Sequence, residues 1–280
     1  DAGAKILEKE ARRIFAPSGI LREGSSHYHL LITRNDADAW LAARAHVRAE
    51  EDVLRAITAK ALAVIPWLIL PGGMPLVGDV SPDCPPEYLL GLAGLESGWL
   101  ANLQDNKKAA LLALITETRP VNADLLSADG WHRFSFGPWA RLWHGAPAGW
   151  PQMPGHGHRD TGGFELHFND IPVFVDPGRG AYGETGDAAY FRSARVHNTL
   201  TVSGADPYPA NKPYYDDTFR RDVAGPKPAL HGGGDEVVLN LHGFQRIKGV
   251  GVMTRQWRFI KNTMTLTDRL EGEGAHRITR

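Results

Sequence analysis

The sequence predicts an α+β protein, with a helical array over residues 1–122 followed by an antiparallel β-sandwich or barrel over residues 123–280. Up to about Thr116 the apolar residues recur at helical spacing, as in Ile6, Leu7, Ala11, Ile14 and Phe15, and again in Leu54, Ile57, Ala61, Val64 and Ile65. After Ala128-Asp129-Gly130 the pattern changes to short β-type runs punctuated by Gly, Pro and Asp, and no helix-length period recurs. The change of texture falls between residues 117 and 128.

Each element has a local reason. Ser25 or Ser26 is placed to cap a helix that carries His27, Tyr28 and His29. Asp36-Ala37-Asp38 reads as the start of a second helix through the Ala-rich stretch Ala39 to Ala49. Pro85-Pro86-Glu87 opens another through Leu92. Between them Leu70-Pro71-Gly72-Gly73 and Gly78-Asp79-Val80-Ser81-Pro82-Asp83 are loops, dense enough in Pro, Gly and Asp to form a surface where chemistry sits. The β runs are Trp131 to Leu142, Gly163 to Phe168, Val173 to Val175, Thr199 to Val202, Val237 to Leu241 and Met264 to Leu270.

Composition removes some functions. With 31 Lys and Arg against 32 Asp and Glu, there is no basic field to hold nucleic acid or anionic lipid. The longest apolar run, Ala61 to Leu70, is too short to span a bilayer and contains Pro66. Cys84 is the single cysteine, so any metal site must use His and carboxylate ligands. The missing initiator Met and the end at Arg280 suggest an internal piece of a longer protein.

The chemistry-bearing residues form two clusters. In Gly155-His156-Gly157-His158-Arg159-Asp160 the two histidines are two apart, which in an extended chain puts both rings on one face. His158 with Asp176 and His197 would leave one tetrahedral position open on zinc; the competing reading is hydrogen-bonded structural histidines and a turn aspartate before Pro177. In the second cluster Tyr28 would act as acid or base only if its phenol is helped by nearby positive charge, which His27 and His29 are placed to supply, or if transfer is concerted with chemistry. Packing is the alternative for all three.

Two look-alikes need separate treatment. Gly178-Arg179-Gly180-Ala181-Tyr182-Gly183 satisfies G-x-G-x-x-G, but Glu184-Thr185-Gly186-Asp187 and a β-rich remainder follow in place of a helix and parallel strand, so a dinucleotide site is rejected. The H-x-H pair also suggests a cupin-type metalloenzyme with Glu165 as its carboxylate, although that spacing is too long and leaves the helical half unexplained.

Taken together, Glu23-Gly24-Ser25-Ser26-His27-Tyr28-His29, Gly155 to Phe164, Phe174-Val175-Asp176-Pro177-Gly178 and Tyr190 to Thr199 resemble the heparinase II/III-like polysaccharide lyases. The resemblance implies the C-terminal part of an (α/α) toroid joined to an antiparallel β-sandwich. It implies Tyr28 and His156 as catalytic residues facing each other across a cleft, with Tyr182 as a second cleft tyrosine. It implies His29, Arg192 and Arg195 as substrate-binding residues, and His158, Asp176 and His197 as ligands of a structural Zn2+ that positions His156 without touching substrate. The partner it implies is an acidic polysaccharide or oligosaccharide, in the periplasm or outside a bacterial cell.

The implied reaction is β-elimination at a uronic acid of a glycosaminoglycan, alginate or other exopolysaccharide. In this family an Asn or Asn-His pair from an earlier toroid helix neutralises the sugar carboxylate. No such pair precedes Tyr28 here. The alternative of a different class is a catalytically inactive lyase-like protein of an exopolysaccharide cluster, which binds glycan without cleaving it.

Overall fold

The computed structural model describes residues 2–145, 156–183, 185–208 and 226–280. Gly155 and Glu184, both named above, lie outside the described residues. The helical half holds α1 (Ala2–Ile14), α2 (Ser26–Ala45), α3 (Glu51–Leu62), α4 (Ile65–Leu68), a 3-10 helix (Pro86–Ala93), α5 (Gly98–Ala101), α6 (Asp105–Glu117) and α7 (Ala123–Ala128). Helix α2 begins where expected, with the Ser25 side chain accepting from the Tyr28 amide at 3.0 Å. None of the described helices is long and apolar enough to cross a membrane.

Two of the expected helix starts are corrected. Asp36 does not open a helix but sits inside α2, which runs unbroken to Ala45 because Leu30, Ala37, Trp40 and Leu41 form one buried stripe. Pro86 opens a 3-10 helix in place of an α-helix. Burial of Asp36 has a measurable cost, since its Oδ2 has no hydrogen-bond partner among the described residues and burial pushes its carboxyl up to about 7. The folded chain therefore keeps a proton that the unfolded chain releases near pH ~4, so this stabilisation is complete below ~4 and is lost as pH rises through ~7. Asp36→Asn is expected to flatten that fall and to raise stability at pH ~8 by on the order of 2–4 kcal/mol. Urea unfolding at several pH values checks it, and parallel stability curves for the two proteins would reject it.

The β half contains two four-stranded antiparallel meanders. The first is β1 (Trp131–Phe136), β2 (Trp139–His144), β3 (Gly163–Phe168) and β4 (Ile171–Phe174). The second is β6 (Ala229–Gly233), β7 (Glu236–Leu241), β8 (Val250–Ile260) and β9 (Thr263–Gly272), while β5 (Thr201–Val202) pairs with β10 (Ile278–Thr279). The run expected from Trp131 to Leu142 is a hairpin, with Phe136 opposite Trp139 and Gly137 at φ 53 in the two-residue turn. A six-residue helix, α8 (Gly186–Phe191), interrupts the otherwise β-type half.

The two meanders pack face to face as a sandwich. Trp143 and Phe164 of the first sheet meet Trp257 of the second, with ring centroids 5.4 and 5.3 Å apart. Strand β2 is buried along its whole length because it has a core on each face. Trp139 and Trp143 join the sandwich core, whereas Ala140 and Leu142 join Trp40, Leu89 and Trp99 in the helical core. The first sheet thus holds the helical half against the sandwich and sets where the loops of each half meet.

Candidate active site

Three segments are laced together by backbone hydrogen bonds. The Asp79 amide donates to the His156 carbonyl at 2.8 Å, the His156 amide to the Glu23 carbonyl at 2.8 Å, and the Ser26 amide to the Val77 carbonyl at 3.0 Å. Gly78 makes this approach possible: at φ +76, a Cβ there would lie 2.4 Å from the Gly24 oxygen and 2.8 Å from the His156 oxygen. The Ser25 hydroxyl adds a bond to the Asp79 carbonyl at 2.7 Å. The N-terminus of α2, the Gly78 to Asp83 loop and the H-x-H segment are in this way held at one place.

Tyr28, His156 and Tyr182 converge there. The rings of Tyr28 and His156 stack with centroids 3.6 Å apart and planes 14° from parallel. The hydroxyls of Tyr28 and Tyr182 are 3.0 Å apart, and Tyr182 donates to the Val80 carbonyl at 2.9 Å. A carbonyl only accepts, so the proton between the two phenols belongs to Tyr28. Burial, followed by the Tyr28 hydroxyl and the Asp79 charge, raises the Tyr182 phenol above its ordinary range despite the opposing Arg179 guanidinium. Tyr182 is therefore a neutral anchor whose oxygen accepts the Tyr28 hydrogen bond.

His27 and His29 do not supply positive charge to Tyr28. His29 is fully buried, with Nδ1 accepting from the Leu21 amide at 3.2 Å and Nε2 donating to the Ala61 carbonyl at 3.1 Å, and burial lowers it to about 4. That also corrects its expected role in substrate binding, because no edge of the ring is left for a ligand. His27 is buried as well, accepts from the Ser81 amide at 3.0 Å, and is lowered by burial. The cation at this place is Arg179, which lies 4.1 Å from the Tyr182 ring centroid and bonds Asp79 at 2.5 Å. It comes from the G-x-G-x-x-G segment, whose close approach is seen at Gly178: a Cβ there would lie 2.8 Å from Val80.

Asp79 is a site residue that the sequence does not single out, although it stands in a loop dense in Pro, Gly and Asp. Its carboxylate contacts His156 Nδ1 at 3.0 Å, His158 Nε2 at 2.7 Å and Arg179 at 2.5 Å. Burial works to raise its pKa, but the bonds from His156 and His158 and the charge of Arg179 outweigh it and hold the group well below the usual carboxylate range. Glu23 is the other carboxylate nearby, 3.6 Å from His156 Nε2. Neither has a local spacing signal, since Asp79 is separated from His156 by 77 residues.

A second, drier cluster lies next to this one. Ligand-capable atoms of Asp160, Asp176 and His197 all fall within 4.8 Å of one another, and all three side chains are buried. Both Asp160 oxygens lack a hydrogen-bond partner among the described residues, an arrangement that suits a cation better than an empty core. His197 Nδ1 lies 3.1 Å from both Asp176 oxygens, and its Nε2 lies 2.7 Å from the Phe191 carbonyl. Burial would lower His197, but the Asp176 bond, the Asp160 and Asp176 charges and the Phe191 carbonyl raise it to about 9. His158 borders the group, with Nδ1 3.2 Å from His197 Nε2. Asn198 braces the wall by donating to the Phe164 and Val175 carbonyls, each at 2.9 Å.

The remaining expected residues lie elsewhere in the loops. Arg192 follows α8 and its carbonyl accepts from the Arg159 amide, while Arg195 is exposed on the 3-10 turn Ala194–Val196. Glu165 is occupied by His167 Nε2 at 2.9 Å and the Asp176 amide at 3.1 Å, so the cupin ligand set does not assemble.

The family description Heparinase II/III-like, C-terminal, matches residues 118–279. Among solved structures, heparan sulfate lyase HepC from Pedobacter heparinus is similar at TM-score 0.61 and 18% identity, over 99% of this chain and 42% of that one. A heparinase III gene product is similar at TM-score 0.65 and 17% identity, over 99% and 42%. A further heparinase III structure is similar at TM-score 0.61 and 17% identity, over 97% and 43%. Identity this low shows a shared fold, and the chain spans less than half the length of these proteins. No curated protein sequence matches it. With the family match covering more than half of its residues, the chain belongs to the heparinase II/III-like family.

Proposed function

We propose that this chain carries part of the active site of a polysaccharide lyase that cleaves a uronic-acid-containing glycan by β-elimination. The observation that carries the reading is the stacked Tyr28–His156 pair, with the Tyr28 proton held by Tyr182 and one imidazole nitrogen held by Asp79. The similar structures, among them a heparan sulfate lyase, support the same class. The place of action that goes with such a substrate is the periplasm or the outside of a bacterial cell.

The chemistry requires breaking a weakly acidic C–H bond beside a sugar carboxylate. His156 Nε2 takes the C5 proton, the electron pair forms the C4–C5 double bond, and the C4–O4 bond breaks. The departing oxygen takes the Tyr28 proton, which moves off the Tyr182 hydroxyl. For the opposite C5 epimer Tyr28 enters the step as the phenolate, takes the C5 proton and passes that same proton to the departing oxygen. Arg192 and Arg195 are the chain's candidates for the substrate carboxylates. Asp160, Asp176 and His197, with His158 Nδ1 beside them, would hold a Zn2+ that braces the loops under His156 and takes no part in proton transfer.

The test uses the full-length protein that contains this chain, incubated with a panel of acidic glycans. Growth of the ultraviolet absorbance of an unsaturated uronate is expected. Retained glycan binding without that signal would sink the lyase reading and leave the inactive homologue. Elemental analysis of the same protein is expected to find one zinc per chain, lost in Asp160→Ala; zinc retained by that variant would reject the ligand set.

A further inference from the structure

Asp79 joins the two clusters through a single carboxylate. Its Oδ2 faces His156 Nδ1 and Arg179, and its Oδ1 faces His158 Nε2. The group is 2% exposed, and its loop is locked by its own amide on the His156 carbonyl and by Ser25 on its carbonyl. The Arg179 side chain is almost as buried as its partner and spans from Asp79 to the Ala181 carbonyl at 2.5 Å. The arrangement leaves neither the Asp79 nor the Arg179 side chain open to solvent. It is built to orient two rings.

We infer that Asp79 is the positioning residue of the site, fixing the tautomers of His156 and His158 together, an inference that rests on the lyase reading above. An ionised carboxylate accepts and never donates, so each nitrogen hydrogen-bonded to it must carry a proton. A neutral His156 then has its proton on Nδ1 and is bare at Nε2, which lies 3.6 Å from Glu23, beyond hydrogen-bond distance. Once Nε2 has taken the substrate proton, Glu23 faces the resulting imidazolium. His158 is protonated at Nε2 and bare at Nδ1, which faces His197 in the buried cluster. The two oxygens of one carboxylate therefore prepare one ring as a base and turn the bare nitrogen of the other toward the buried cluster. Arg179 keeps the carboxylate in place and ties it to the loop that carries Tyr182.

An asparagine cannot replace this function. It offers one oxygen to three donors, so its amide must face either His158 or the His156 and Arg179 pair, and at least one imidazole must change state. In the full-length protein with isotope-labelled histidine rings, nuclear magnetic resonance at alkaline pH is expected to show Nδ1–H on His156 and Nε2–H on His158. Asp79→Asn is expected to change the state of at least one ring. It should also lower kcat by about 10- to 100-fold with KM within about twofold, as for other residues that orient a reacting group through a hydrogen bond. A native His156 that carries its proton on Nε2, or on both nitrogens, would overturn the inference, as would an Asp79→Asn protein with native kcat. If the variant does not fold, the native ring states decide alone. Native protein without lyase activity sinks the proposed function, while the ring states still test Asp79.

Discussion

Tyr28→Phe is expected to lose lyase activity by about 10²- to 10⁴-fold in kcat, the range for removing a general acid or base. The substitution deletes one oxygen and leaves the rest of the residue's structural role intact. Ser25 still caps α2 through the residue 28 amide, and the aromatic ring still stacks on His156. Tyr182 keeps its bond to the Val80 carbonyl. Unfolding by urea should therefore be within about 1 kcal/mol of the native protein, since the lost phenol contact is half exposed and a typical hydrogen bond contributes about that much. The measurement is the initial rate of unsaturated uronate formation by the full-length protein. A variant within a few fold of the native rate would place the acid elsewhere.

Asp268→Ala is expected to destabilise the sandwich by about 3–5 kcal/mol, the cost of removing one partner from a buried ion pair. Arg255 of β8 is 1% exposed and faces Asp268 of β9, with Nε 2.9 Å from Oδ1. Its other arm donates to the Asn198 carbonyl at 3.2 Å. Without Asp268 a guanidinium would remain in the core beside Trp257, able to shed neither its charge nor its burial. Because Asn198 holds the Phe164 and Val175 carbonyls next to Asp176, the damage should extend to the loop that carries Asp176. Chemical denaturation of the native and variant proteins reads the difference. A loss below about 1 kcal/mol would show that the pair is as dispensable as an exposed one.

Residues whose role depends on local pattern were legible in the sequence. The Ser25 cap, β3 and the β7 alternation all follow from spacing within one segment. Strand β8, the longest of the described strands, shows no clear period in the sequence because a register shift between Val250 and Met253 breaks it and a charged Arg255 occupies a core position. His29 was misjudged for the opposite reason, since a histidine beside a candidate catalytic tyrosine looks chemical until both nitrogens are seen to be bonded to backbone. Asp79 and Asp160 had no signal of their own. Their meaning comes from atoms brought together by packing across 77 residues in the first case and from the lack of any hydrogen-bond partner in the second.

The backbone lacing of residues 23–26, 77–79 and 156 also bears on how the protein matures. Each of those bonds closes a long loop, and the two made by His156 also need the helical half and the β half to be in place together. Assembly of the site is then a late event in folding. A molecule with every helix and every strand formed, but with these few amides still exchanging with water, would have a native far-ultraviolet spectrum and no reaction centre. Protection of the Ser26, Asp79 and His156 amides from hydrogen exchange is therefore a closer gauge of competent protein than either secondary-structure content or yield.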